Sequence, residues 1–371
     1  MDKTKWVRLG DYIEIYDRKN TDGKPYPFYG INRNKTFMPT VADTNELDNS
    51  KYKVVENGTF VFSGMQTGRD VCIRIAVFDK EDPILVSPAY TTFKVKDETE
   101  LLPTYLFLQF YREESDRYGW FLSDGSIRSN LDWDRFCDIE IPLPDIEIQR
   151  EIVAAYNGLK QLAEQNEALA DQISAACHAA VVDCIAKYPP VPLGEYIEVY
   201  DRKNVEGKTY PFFGINKDKT FMPTVANTND LDNTKYKVVE KGIFAFSGMQ
   251  TGRDECIRIA LYNEDNPILI SPAYTTFKIK DCAELLSSYL FLQFNRPESD
   301  RLGWFLSDGS IRSNLDWDRF CAIEIPLPPH DVQQSIVELF NCAERAKKIA
   351  TETREKLKTL CPALIQSVIH S

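Results

Sequence analysis

Histidine is nearly absent from this chain. Its 371 residues hold three, His178, His330 and His370, and no two of them have ligand spacing. That argues against a histidine zinc site and against histidine acid–base catalysis. The nine cysteines form no CxxC pair. Cys72 and Cys256 lie in apolar, strand-like segments, and Cys137 and Cys321 sit beside Phe136 and Phe320, so they read as buried free thiols in a reducing compartment. No GK[ST] phosphate-loop ending, no [DN]PP[YF] tetrapeptide, no FxGxG cofactor loop and no clustered carboxylates with metal-ligand spacing appear. "SPAY", at 87–90 and 271–274, lacks the Asn/Asp and the second proline of the amino-methyltransferase tetrapeptide. Met1–Tyr12 has no long apolar run, and no stretch approaches the roughly 18 apolar residues that a membrane span requires. The expectation is a cytoplasmic binding protein with no membrane partner, no metal and no cofactor of its own.

Positive charge is also short: the formal net charge is −12 and the pI about 5.0. A basic field for nonspecific nucleic-acid binding is missing, although a local basic groove is still allowed. With 43% hydrophobic and 12% aromatic residues the chain can bury cores, and its length suits two or three domains.

Half of the sequence is the other half. "FLSDGSIRSNLDWDRFC" stands at 121–137 and again at 305–321. Leu9-Gly10, Asp17–Asn20, Ser63–Asp70, Trp133 and Ile141-Pro142 all recur at an offset of 184, which never drifts. A period this long is a duplicated domain; solenoid repeats run about 20–50 residues. Each copy has two zones. The first is rich in aromatic and β-branched residues. "YKVVENGTFVF", "VCIRIAVF" and "TTFKVK" read as strands with turns at Asn57-Gly58 and Asp82-Pro83, "LLPTYLFLQFYREE" as one helix with Pro103 in its first turn, and "IEIPLP" as a closing strand. The second zone, from Ile146 to about Ala186, has no proline. Leu159, Leu162, Asn166, Leu169 and Ile173 are spaced three, four, three and four, a coiled-coil seam in which Asn166 can fix register. Ala343, Ala346, Ala350, Thr353, Leu357 and Leu360 form the second copy's stripe. About forty residues of helix reach roughly 60 Å.

The predicted fold class is α/β (α+β): two similar mixed α/β domains joined by two long helices, packed as an antiparallel coiled coil with a pseudo-twofold axis. The predicted boundaries are 1–146 and 188–330 for the globules, and 147–187 and 331–371 for the helices. A twofold protein suits a twofold target, and B-DNA with an inverted repeat is one.

Four repeated stretches could meet such a target. "SGMQTGRD" offers Ser63, Gln66, Thr67 and Arg69, with Ser247, Gln250, Thr251 and Arg253 in the second copy. Arg can read guanine and Gln adenine, while an ordinary hairpin connection is the plain alternative. "YDRKN" offers Arg18, Lys19 and Asn20, with Arg202, Lys203 and Asn204; "GINRNKTFMP" offers Arg33 and Lys35, with Lys217 and Lys219. These are candidate phosphate contacts, or solvated charged loops. "DGSIRSN" offers Arg128 and Arg312 ahead of a short helix beginning near Asp132, which can both cap the helix and favour an anion.

Taken in order, "WVRLGDYIEI", "FVFSGMQTGRD…IRIAV" and "DGSIRSNLDWDRFCDIEIPLPDIEIQREIV" resemble the target-recognition domain of specificity subunits from type I restriction–modification systems. The pattern places Gly125, Asn130-Leu131, Ile139 to Pro144, Gln149 and Ile152 in the first copy, and Gly309, Asn314-Leu315, Ile323 to Pro328, Gln333 and Ile336 in the second. The resemblance covers nearly the whole chain. It implies a non-catalytic subunit whose two recognition domains each read one half of a bipartite double-stranded DNA site. It also implies helices that act as spacer and as platform for two adenine-methyltransferase subunits, joined in some systems by restriction and translocation subunits. S-adenosylmethionine, ATP and Mg would belong to those partners. A compact type II-like restriction system, or a DNA-free adaptor of the methyltransferase, are the alternatives. The two halves here are nearly identical where the family's usual halves are unlike, which predicts an inverted-repeat target.

Overall fold

The computed structural model describes residues 4–369 apart from 42, 45, 46, 226 and 228–230; His370 lies outside them. The chain divides into two compact units, Met1–Asn166 with Lys348–Ser371, and Glu167–Lys347. Each takes one half of the long helix Ile146–Lys187 and one half of the long helix His330–Ile369.

In the first unit an antiparallel sheet runs Ile13–Ile15, Thr91–Val95, Phe60–Ser63, Arg74–Val77. Its central strand, FVFS, is buried throughout because both faces are covered. Phe60 and Phe62 enter the main core, whereas Val61 enters a smaller core with Ile31, Val55, Ile84 and Val86. That is why the segment reads as an apolar run and not as an alternation. Phe60 stacks on Phe93 at 4.8 Å and Phe62 on Phe136 at 4.2 Å. The smaller core is framed by the pairs Tyr29–Ile31 with Phe37–Pro39, and Lys53–Val55 with Ile84–Val86. The second unit repeats this plan, with stacks of Phe244 on Phe277 and of Phe246 on Phe320.

The first strand, Lys5–Arg8, pairs antiparallel with the last, Glu140–Leu143, so the globule closes where its long helix departs. Gln149, fully buried in that helix's first turns, fixes the departure. Its amide donates to the carbonyls of Glu100 (2.8 Å) and Pro144 (3.0 Å) and accepts from the Leu102 N–H (2.9 Å). Gln333 repeats all three bonds with Glu284, Pro328 and Leu286.

The main core of the first unit also contains Leu357, Cys361, Ile365 and Val368 from the closing half of the second long helix. Thr4 Oγ1 donates to the Val368 carbonyl at 2.8 Å, which puts the end of that helix beside the start of the first and makes the two half-helices antiparallel. Burial pushes the Cys361 thiol up to about 11. The second unit's core takes Cys177, Val181 and Cys184 from one long helix and Ile336 and Val337 from the other.

Three expectations need correction. The buried stripe of the first long helix runs through Ala163, Ala170 and Cys177; Leu162 and Leu169 face solvent, and Leu159, Asn166 and Ile173 are only half-buried. Small side chains occupy these buried positions. Asn166 donates to the Leu162 carbonyl of its own helix at 2.8 Å instead of pairing across a seam. In the second long helix Ala343, Ala346, Ala350, Thr353 and Leu357 are buried along the expected stripe, but Cys361 replaces Leu360. Second, "LLPTYLFLQFYREE" is two helices, Pro103–Phe110 and Glu113–Leu122. The chain turns at Tyr111 and Arg112, and Ser115 Oγ reaches back to the Gln109 carbonyl. Third, Ile146–Lys187 contains an 18-residue window of mean hydropathy 1.2, long and apolar enough by composition to cross a membrane. Ile152 of this helix enters the first unit's core, and Cys177, Val181 and Cys184 enter the second's.

Replacing Gln149 with Leu removes three hydrogen bonds and strands a buried N–H and two carbonyls. The expected loss is about 2–4 kcal/mol of stability in urea unfolding, with the same cost for Gln333→Leu.

Candidate nucleic-acid interface

The two most distinctive repeated motifs, far apart in sequence, interlock in space. The Leu131 N–H donates to the Gly64 carbonyl at 2.8 Å, the Gly68 N–H to the Ser129 carbonyl at 2.9 Å, and the Gln66 N–H to Asn130 Oδ1 at 3.0 Å. Both glycines are required by this approach: a Cβ on Gly64 would lie 1.8 Å from the Leu131 oxygen, and one on Gly68 2.0 Å from Ser129 Oγ. The second unit repeats the set with Leu315 on Gly248, Gly252 on Ser313 and Gln250 on Asn314. "SGMQTGRD" begins the connection of an antiparallel hairpin, Phe60–Ser63 with Arg74–Val77, but that connection is not a plain tight turn. It closes into the single helical turn Thr67–Asp70, flanked by Gln66 and Val71 in the left-handed region at φ +60° and +48°.

Among the described residues of the first unit, the non-glycine residues with positive φ are Lys35, Gln66, Val71 and Ser129. All four surround this junction, and such backbone outliers concentrate where a surface is held for use. Asp124 organises the facing loop. Its Oδ1 accepts from Ser126 Oγ at 2.6 Å, from Asn130 N–H at 3.0 Å and from Ser126 N–H at 3.1 Å, and these bonds hold its carboxyl below the usual range. Asp308 does the same in the second unit. Asp132 caps the following helix by accepting from the Arg135 N–H at 2.9 Å.

Helix Glu113–Leu122 lies flat on this scaffold and buries only Gly119, whose Cβ would strike Ile73. Asp116 pins it, accepting from the Ile73 N–H at 2.8 Å and from Lys35 Nζ at 2.6 Å.

The candidate side chains separate clearly. Arg69, Arg128, Arg253 and Arg312 are exposed and make no ion pair among the described residues; Gln66 and Gln250 are half-buried beside them. Arg33 is exposed on the same face, donating to the Asp70 carbonyl at 2.9 Å, and Lys217 pairs with Asp254 at 3.3 Å. Several others are corrected by burial. Lys35 and Lys219 are held in buried ion pairs with Asp116 and Asp300. Asn20 and Asn204 are buried, tying the carbonyls of Lys24 and Asn49, and of Lys208 and Asn233. Ser63, Ser247, Thr67 and Thr251 are buried, and both threonine hydroxyls donate to the glycine carbonyls three residues back. None of these eight presents its side chain to a ligand. Arg18 and Arg202 are exposed but paired with Glu56 and Glu240, while Lys19 and Lys203 are exposed on a segment bridged to Lys53 and Lys237.

Beside the arginines stand apolar side chains that the sequence reading passed over. Met65, Tyr118, Trp120, Phe121 and Ile127 are exposed, Ile127 fully; Met249, Leu302, Trp304, Phe305 and Ile311 repeat them. The signal available was "GWFL" on a helix whose preceding residues are mostly charged, with Ser115 and Tyr118 among them. An exposed apolar cluster rimmed by arginines can stack on bases or contact thymine methyl groups.

The family described as "Type I restriction modification DNA specificity domain" matches the chain twice, over residues 1–175 and 193–359. Among solved structures, the chain is similar to the S subunit of a type I restriction-modification system from M. genitalium: 13% identity, 99% of this chain and 97% of that one, TM-score 0.63. It is also similar to the HsdS subunit from Thermoanaerobacter tengcongensis, at 18% identity over 99% and 97% of the two chains with a TM-score of 0.42. A chain from a study of complex assembly and conformational transition of the type I R-M system matches at 19% identity, over 100% and 98%, with a TM-score of 0.43. At these identities the likeness is one of fold. No curated protein matches the sequence.

Two outcomes follow from this geometry. Gly64→Ala should part the loops and cost about 3 kcal/mol or more in denaturant unfolding. The Asp124 and Asp308 contribution has a definite sign: with folded values below the unfolded one of about 3.9, it is complete above that pH and lost as pH falls through the folded value. Amide exchange at Asn130 and Asn314 should therefore stay protected at pH 5 and open on acidification, and Asp124→Ala should open Asn130 at neutral pH.

Proposed function

The chain belongs to the type I restriction-modification DNA specificity family, and from that premise we propose that it is the non-catalytic subunit that selects the target of such a complex. Each unit reads one half of a bipartite double-stranded site through its interlocked loops. The observation that carries this reading is the duplication of the exposed set on one scaffold: Gln66, Arg69 and Arg128 recur as Gln250, Arg253 and Arg312. Identical side chains on identically built loops favour identical base readings, hence an inverted repeat.

The long helices are the proposed spacer and the platform for two methyltransferase subunits, with outward Leu162, Leu169 and Leu360 available to them. S-adenosylmethionine, and ATP and Mg where a restriction and translocation subunit joins, belong to those partners. The chain's net charge of −12 fits a division of labour in which much of the phosphate contact comes from the partners.

Arg69→Ala combined with Arg253→Ala should cost about 1–3 kcal/mol of specific binding per arginine. Adenine modification in a host expressing the neighbouring methyltransferase should fall while the complex still co-purifies. Unchanged modification would sink the reading in favour of an adaptor that does not touch DNA. The isolated chain should bind duplex DNA weakly and with steep salt dependence; tight binding at about 200 mM salt would contradict that part.

A further inference from the structure

The two units are identical through 63–70 and 121–137, yet their exposed faces are not equally charged. In the first unit the turn at 32–36 docks on the end of the short helix: Arg33 donates to the Asp70 carbonyl at 2.9 Å, and Cys72 Sγ to the Arg33 carbonyl at 3.3 Å. Position 34 and position 71 therefore share one exposed patch with Arg69. In the first unit they are Asn34 and Val71; in the second they are Asp218 and Glu255, both exposed. The second face thus carries two carboxylates that the first lacks. The cation beside them is weakened as well, because Lys217 is paired with the Asp254 carboxylate whereas Arg33 meets only a backbone carbonyl.

Backbone conformation separates this difference from a folding effect. Positions 71 and 255 are both left-handed, at φ +48° and +51°. A β-branched valine is a poor occupant of that region, and glutamate is a better one. The first unit therefore keeps a neutral face at a cost in local strain.

Resting on the reading of this face as the DNA contact, we infer that the two units recognise the same half-site but hold it unequally. The first unit is the anchor, because Asp218 and Glu255 repel the phosphates flanking the half-site at the second. Base-reading side chains are the same on both faces, so sequence preference is shared. Only the sequence-independent phosphate term differs.

The test uses the full-length chain at low salt with a mixed-sequence DNA duplex long enough to span two half-sites, read by fluorescence anisotropy over a salt series. Asp218→Asn with Glu255→Gln should tighten binding about threefold or more and steepen the logarithmic salt slope by about one per carboxylate removed. Asn34→Asp with Val71→Glu should weaken and flatten it without lowering the melting temperature. Arg69→Ala should cost more than Arg253→Ala. If both charge pairs leave affinity and slope unchanged while the two arginine variants weaken binding equally, the units are equivalent and the inference is overturned with the DNA reading intact. If neither arginine variant weakens binding, the face is not the DNA contact, and both fall.

Discussion

The backbone hydrogen bond from Leu131 N–H to the Gly64 carbonyl, with its counterpart from Leu315 to Gly248, joins two segments that are distant in the chain, and the exposed face of each unit is built on that junction. Neither segment has regular structure enough to define itself. One is a single helical turn between two left-handed residues, and the other is a loop wound around the Asp124 carboxylate. Each supplies the other's missing partners, so Arg69 and Arg128 stand on a common support rather than on two mobile tips. The proposed base reading would use that rigidity, because a bidentate contact is lost with small displacements of its donors. The buried Lys35–Asp116 pair does the same at the back of the site, holding helix Glu113–Leu122 against the sheet.

A second constraint works at the exit of each globule. Gln149 and Gln333 satisfy backbone groups from three places at once and so set the direction in which each long helix leaves. Each core is then completed by residues from the other copy's half of the chain: Leu357, Cys361, Ile365 and Val368 for the first unit, Cys177, Val181 and Cys184 for the second. The first unit is built from two separate segments, and the second is one continuous stretch that includes the latter part of the first long helix. The long helices contribute to both cores as well as separating the two globules in sequence.

Much of this was legible in the sequence. The constant offset, the strands around "FVFS" and the family pattern running through Gln149 to Ile152 follow from local residue patterns. What failed, failed for nonlocal reasons. Lys35 reads as a surface cation because its partner, Asp116, is 81 residues away. Asn20 reads as a phosphate donor because the carbonyls it ties come from a turn and from Asn49. Leu162 and Leu169 read as the helix seam because leucine is the stronger apolar signal, whereas the buried positions are Ala163 and Ala170. Trp120, Phe121 and Ile127 are exposed although their residue types are apolar. Local patterns report hydrophobicity, but only the folded packing decides which apolar side chains are left for a partner.

The central claim is that two copies of one recognition face select one DNA sequence twice. The measurement that tests it most directly is a map of modified adenines in a host that expresses this chain with its neighbouring methyltransferase. A single bipartite motif whose halves are the same sequence in inverted orientation is the predicted result. A motif with unrelated halves, or no motif despite a stable complex, would contradict it.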